Sequence, residues 1–141
     1  MTEELKQILG DKSIEFELEN RLDLIKLSRK GLSLKNLFSI LEYTSLTVKD
    51  LVKIIPLSER QLQRYSKDQI LRTDISVQLL QISELYSRGY EVFGSREKFR
   101  KWMEHPNMAL SSVKPIELLD TSFGIQLILD EIGRIEHGIV A

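Results

Sequence analysis

Residues 107–141 read NMALSSVKPIELLDTSFGIQLILDEIGRIEHGIVA, and the reading of this stretch decides the fold. Pro115 stands where the first turn of a helix tolerates a missing N–H. Ile116 and Leu119, three apart, give that short helix one apolar side. From Thr121 a helical pattern resumes, with Leu127, Ile128, Ile132 and Ile135 on one face and Arg134, Glu136 and His137 outside it. Gly138 falls at the position that turns a chain out of a helix. Ile139, Val140 and Ala141 follow. An apolar segment of this kind has two readings: it folds back on the protein's own core, or it plugs a pocket on a partner.

Working outward, the 141 residues suffice for one compact core or two small subdomains. Hydrophobic residues make up 42% and charged residues 29%, ordinary values for a globular protein. No apolar run approaches the roughly 20 residues that span a bilayer. The opening MTEELKQILGD is acidic and amphipathic, unlike a secretory leader, so a cytoplasmic location with no membrane partner is expected. There are no cysteines, and His105 and His137 lie far apart, which leaves almost no material for a metal site or a Ser-His-Asp triad. Asp130 and Glu131 are adjacent on a helix and point to different sides, a poor geometry for acid–base work. The chain lacks a glycine-rich phosphate loop. No cofactor is expected.

Charge is unevenly placed. From Thr47 to Arg72 six basic residues face three acidic ones, a net of +3. From Ile116 to Ala141 five acidic residues face one basic, a net of −4. A basic middle and an acidic end predict two surfaces with different partners.

The remaining elements also read as helices. Thr2 to Asp11 forms a short one, with Leu5, Ile8 and Leu9 on one side. Ile14, Leu18, Leu22 and Ile25 predict a helix from Ser13 through Lys30, closed by Gly31. Ser33 caps the next, with Leu34, Leu37, Phe38 and Leu41 facing inward. Thr47 and Asp50 form a capping box, Pro56 ends the helix they start, and Ser58 with Gln61 forms a second box. Two short helices joined by a tight turn are a helix-turn-helix candidate. Its second helix would present Arg60, Gln61 and Arg64 to base edges, while Lys53 and Lys67 take phosphates. The alternative is an ordinary solvated helix face. Thr73 or Asp74 caps a longer helix with Ile75, Leu79, Ile82, Leu85 and Tyr86 inward. Gly89 inside it predicts a close crossing or a kink. Ser95 caps the next helix, whose inner face is Phe99, Trp102 and Met103. Arg96, Lys98, Arg100 and Lys101 form a solvated face, and His105 is an ordinary helix-end residue.

The 107–141 block resembles the toxin-binding domain of Xre/MbcA/ParS-type antitoxins. The resemblance rests on Asn107, Ala109, Leu110, Pro115, Glu117, Leu118, Leu119, Thr121, Gly124, Arg134, Ile135, Glu136 and Gly138. Ser111 and Ser112 stand where glycines are usual, which predicts a differently shaped loop. Val92-Phe93-Gly94 matches the end of the family's alanine-rich helix. The segment LTVKDLVKIIPLSERQLQRY is similar to the Xre-type helix-turn-helix at Leu46, Leu51, Ser58, Arg60, Leu62 and Arg64, with Pro56 in place of the turn glycine.

The resemblance implies an all-α protein with an Xre-like helix-turn-helix region in residues 1–73 and a helical toxin-binding domain in residues 74–141. It implies a type II antitoxin, itself not an enzyme, whose partner is a RES-domain, NAD-degrading toxin. Toxin contacts would come from Thr121, Arg134, Glu136, His137, Gly138, Ile139, Val140 and Ala141, with the last residues covering the toxin's active site. Operator DNA would be met by a homodimer through Lys53, Ser58, Arg60, Gln61, Arg64 and Lys67. The competing reading is a stand-alone helix-turn-helix transcriptional regulator without a toxin.

Overall fold

A computed structural model describes residues 7–10 and 20–138. Among these the protein is all-α, with isolated bridges at Ser33–Ile70 and Asn107–Val113 in place of any sheet. No described helix is long and apolar enough to cross a membrane. The chain divides into two compact units, one up to Ser83 and one from Glu84. A single helix, Thr73–Phe93, begins in the first and ends in the second.

In the first unit, residues 7–9 close a helical turn at Gly10, with Ile8 and Leu9 buried. The rest of the expected opening helix, and residues 13–19 of the next, lie outside the described residues. Helix α1 spans Arg21–Lys30. Its true start is Asn20, whose side chain accepts the N–H groups of Leu22 and Asp23 at 2.9 and 3.2 Å, while the Asp23 carboxylate accepts the Asn20 N–H. This reciprocal cap fixes the helix start seven residues later than Ser13. The buried face also differs from the expected one. Leu24 and Leu27 point inward, while Leu22 and Ile25 are exposed. Gly31 closes the helix as expected, donating to the Leu27 carbonyl.

Helix α2, Leu34–Thr44, starts at Ser33 as expected and buries Leu34, Leu37, Ile40 and Leu41. Phe38 is largely exposed instead of inward. Asn36 takes an unexpected role. It is buried, accepts the Ser33 N–H at 2.9 Å and donates to the Leu9 carbonyl at 2.8 Å, so one amide serves both a helix cap and a long-range tie.

Helices α3, Val48–Val52, and α4, Glu59–Arg64, follow and pack on each other. The segment after α4 runs back along the start of α2, with Lys35 donating to the Lys67 carbonyl and Leu71 to the Leu32 carbonyl. Helix α5, Thr73–Phe93, opens with Thr73 and Asp74 already inside its first turn, not as caps. Asp74 there accepts both Arg72 donors at 3.1 and 3.0 Å, and this contact holds its carboxyl below the usual carboxylate range. Ser76, fully buried on α5, accepts the Leu32 N–H at 2.9 Å. No described buried side-chain polar atom lacks a partner, as a folded core requires.

In the second unit, the last turns of α5 meet α6, Arg96–Met103, around five aromatic rings. Tyr86, Tyr90 and Phe93 each meet Phe99 edge-on at centroid distances of 5.3, 5.8 and 5.3 Å, and Trp102 stacks on Phe99 at 5.9 Å. The basic face of α6 is not merely solvated. Arg100 donates to the Tyr90 hydroxyl at 3.0 Å, and both Arg96 and Arg100 lie over the Tyr90 ring. Burial pushes the Tyr90 hydroxyl's pKa up, and the Arg100 bond pulls it part of the way back.

After α6 come two 3-10 turns, Met108–Leu110 and Pro115–Leu118, and then α7, Ser122–Glu136. The proline does open a helical element, but one of only four residues and of 3-10 form. Both turns pack against α7. The buried stripe of α7 is Ile125, Ile128, Glu131 and Ile132, whereas Leu127 and Ile135 are exposed.

Candidate functional site

In the first unit the two capping boxes form as the spacing predicts. Thr47 accepts the Asp50 N–H at 3.1 Å and Asp50 accepts the Thr47 N–H at 3.0 Å. Ser58 accepts the Gln61 N–H at 3.1 Å, and Gln61 Oε1 accepts the Ser58 N–H at 2.9 Å. Leu51, Ile55, Leu57 and Leu62 are buried between and beneath the helices, and Pro56 is exposed in the turn. The turn is also held from α5, where Gln78 donates to the Ile54 carbonyl at 2.6 Å. No sequence signal pointed to that contact.

Lys53, Ser58, Arg60, Gln61, Arg64 and Lys67 are all exposed. Arg60 and Arg64, four apart on α4, share a face. Ser58 and Gln61 are engaged in the cap. An adenine edge needs both an amide acceptor and an amide donor; the Gln61 acceptor already serves the Ser58 N–H, so the group it offers outward is its NH2.

In the second unit, Asn107 organises the loop that precedes α7. Its N–H donates to the Val113 carbonyl, its carbonyl accepts from Leu110 and Ser112, and its side chain accepts the Ala109 N–H at 2.9 Å. Ser111 and Ser112 take φ of 59° and 62°, the left-handed values that glycines would take. The loop therefore keeps a glycine-type shape, with each serine bearing roughly 1 kcal/mol of backbone strain, instead of adopting a different one. Ser112 is held there by its N–H to the Asn107 carbonyl, and Ser111 by its N–H to the Met108 carbonyl.

Thr121 caps α7 by accepting the Gly124 N–H at 3.1 Å. Arg134 donates to the buried Glu131 at 3.2 Å and keeps much of its surface in solvent. Glu136 accepts from Arg88 on α5 at 2.5 Å, a contact between residues 48 apart in sequence. His137 Nε2 lies 3.8 Å from the same carboxylate. Gly138 has φ of 70° and donates to the Ile135 carbonyl, so it turns the chain at the helix end as expected. Ile139, Val140 and Ala141 lie outside the described residues. The Arg-Ile-Glu run thus contributes two intramolecular ties as well as exposed charge. Arg88 escaped the sequence reading because it lies 48 residues from Glu136; Glu131, three residues before Arg134, stood at a legible helical spacing that signalled a pair but not burial. Among the described residues no cluster of His, Asp and Glu is placed to hold a metal ion.

Helix α7 is thus pinned at its start by Thr121, at its end by Arg88, and along its length by two short turns. Residues 88–138 match the family described as the antitoxin Xre/MbcA/ParS C-terminal toxin-binding domain. Over 48 residues the chain is 44% identical to a protein named Antitoxin Xre from Photorhabdus laumondii subsp. laumondii. That match takes in 34% of this chain and 32% of the relative, so it spans about a third of the relative's length.

Proposed function

We propose that this chain is an antitoxin that binds and neutralises a cognate RES-domain, NAD-degrading toxin by covering its active site with the segment from Arg134 to Ala141. The observation that carries this reading is the matched toxin-binding domain, ending at Gly138, where a left-handed turn leads the chain out of α7. A toxin pocket that receives a dinucleotide must hold basic groups for its phosphates. The exposed carboxylates Glu117, Asp120, Asp130 and Glu136 suit such a partner electrostatically. Ile139 and Val140 would fill the apolar part of the pocket. When the toxin gene is co-expressed, the full chain is expected to preserve growth, and a chain truncated after Gly138 to lose that protection while still accumulating as folded protein. Equal protection by the two chains would place inhibition elsewhere.

Autorepression is the second half of the reading. A homodimer would set two α4 helices into successive major grooves of a palindromic operator. Arg60 and Arg64 would read bases, and Lys53 and Lys67 would take phosphates. Arg64→Ala is expected to weaken operator binding by about 1–3 kcal/mol. Unchanged affinity and an unchanged salt dependence in a fluorescence-anisotropy titration would remove Arg64 from the interface.

A further inference from the structure

Two large apolar side chains of the second unit stand almost wholly in water. Met108 is 91% exposed and Phe123 is 88% exposed. Met108 opens the 3-10 turn that packs against α7, and Phe123 lies in the first turn of α7 itself. Leu127, one turn after Phe123 and 45% exposed, shares its face. Neither position is needed to hold its element, since Asn107 secures the turn and Thr121 caps the helix. Exposed carboxylates accompany them. Glu117 and Asp120 precede the helix, and Asp130 follows Phe123 by seven residues on the same face.

We infer that Met108 and Phe123 anchor the toxin, seating in an apolar recess of that partner whose rim is basic. This inference rests on the antitoxin reading above. Exposed aromatic side chains dominate the energetics of protein contacts, and methionine fits itself to irregular apolar surfaces. The carboxylates select the occupant. A second copy placed on the same patch through a two-fold axis would bring together two copies of residues 114–130, each carrying Glu117, Asp120 and Asp130 against Lys114 alone. Like charges set against each other across an interface oppose association. A phosphate backbone or an anionic lipid surface is repelled for the same reason. A partner with basic groups around an apolar recess is the complement. The anchor lies apart in sequence from the segment after Gly138, so affinity and inhibition become separable: the patch holds the toxin, and the segment blocks it.

The test is calorimetric titration of the purified toxin with the full chain, with Met108→Ser/Phe123→Ser, with Asp120→Lys/Asp130→Lys, and with the chain truncated after Gly138. Both double variants are expected to weaken binding about 30-fold or more, as truncating an interface hot spot does, with unchanged circular dichroism and melting temperature. The truncated chain is expected to keep most of its affinity. Full affinity in the Met108→Ser/Phe123→Ser variant would overturn the anchor and leave the antitoxin reading standing. Loss of self-association in that variant, with toxin affinity kept, would assign the patch to a second copy and overturn the proposal. A full chain that fails to bind the toxin at all would overturn both.

Discussion

Gly124→Ala is expected to destabilise the second unit by about 3 kcal/mol, the upper part of the range for forced overpacking. A Cβ at this position would lie 2.9 Å from the Leu118 carbonyl carbon and closer still to its oxygen. The obstacle is backbone, so no side-chain rotation relieves it. Either the Pro115–Leu118 turn moves off α7 or the first turn of α7 frays, and the Thr121 cap on the Gly124 N–H is lost with it. For a domain of this size the loss corresponds to roughly 15 °C in melting temperature. Gly133, nine residues further along the same helix, supplies an opposite-signed control. Nothing lies within 4 Å of a Cβ added there. Gly133→Ala should therefore gain about 1 kcal/mol from helix propensity alone. Thermal unfolding followed by circular dichroism distinguishes the pair. Similar melting temperatures for the two variants would refute the close approach at Gly124.

Gly89→Ala is expected to cost about 2 kcal/mol for a different reason. Here an added methyl would lie 2.5 Å from Phe99 Cδ1 and closer to two other ring atoms. Phe99 is fully buried among Tyr86, Tyr90, Phe93 and Trp102, so its ring cannot swing aside without disturbing several aromatic contacts. Each such contact is worth about 0.5–1.5 kcal/mol beyond area burial. The alanine's helix propensity returns about 1 kcal/mol, which keeps the net loss below that at Gly124. Because the neighbour is a side chain, the loss should be rescued in part by Phe99→Leu. A double-mutant cycle by urea denaturation should give a coupling of about 1 kcal/mol or more. Additive effects would mean that Gly89 and Phe99 do not compete for the same space.

These glycines mark where sequence reading stops. Gly89 inside a long apolar stripe announces a close neighbour without naming it, because Phe99 reaches it from another helix. Capping, by contrast, is local chemistry within four residues. The cap at Ser33 and the boxes at Thr47 and Ser58 form where the sequence places them. The choice of buried face was less legible. In α1 apolar residues occupy positions 22, 24, 25 and 27, so periodicity permits more than one inward side. Tertiary packing selects Leu24 and Leu27. In α7 the same ambiguity hid Ile125, and Glu131 was invisible as a buried residue because its partner, Arg134, looked like surface. The family block at 107–138 was legible because its residues carry backbone roles: Asn107 ties a loop, Thr121 caps, Gly124 admits a neighbouring carbonyl, and Gly138 turns the chain. Charge asymmetry was legible too, but exposed positions such as Met108 and Phe123 follow no pattern until neighbours are placed around them.

Neutralisation of an NAD-degrading toxin is the function proposed for this chain. Its most direct test is an in vitro assay of NAD⁺ breakdown by a purified cognate RES-domain toxin, titrated with this chain. NAD⁺ loss is expected to stop as the chain approaches a fixed stoichiometric ratio, and the chain truncated after Gly138 to leave the rate unchanged. NAD⁺ loss that continues at the same rate beneath excess full-length chain would contradict it, and would move the protein to the stand-alone regulator reading.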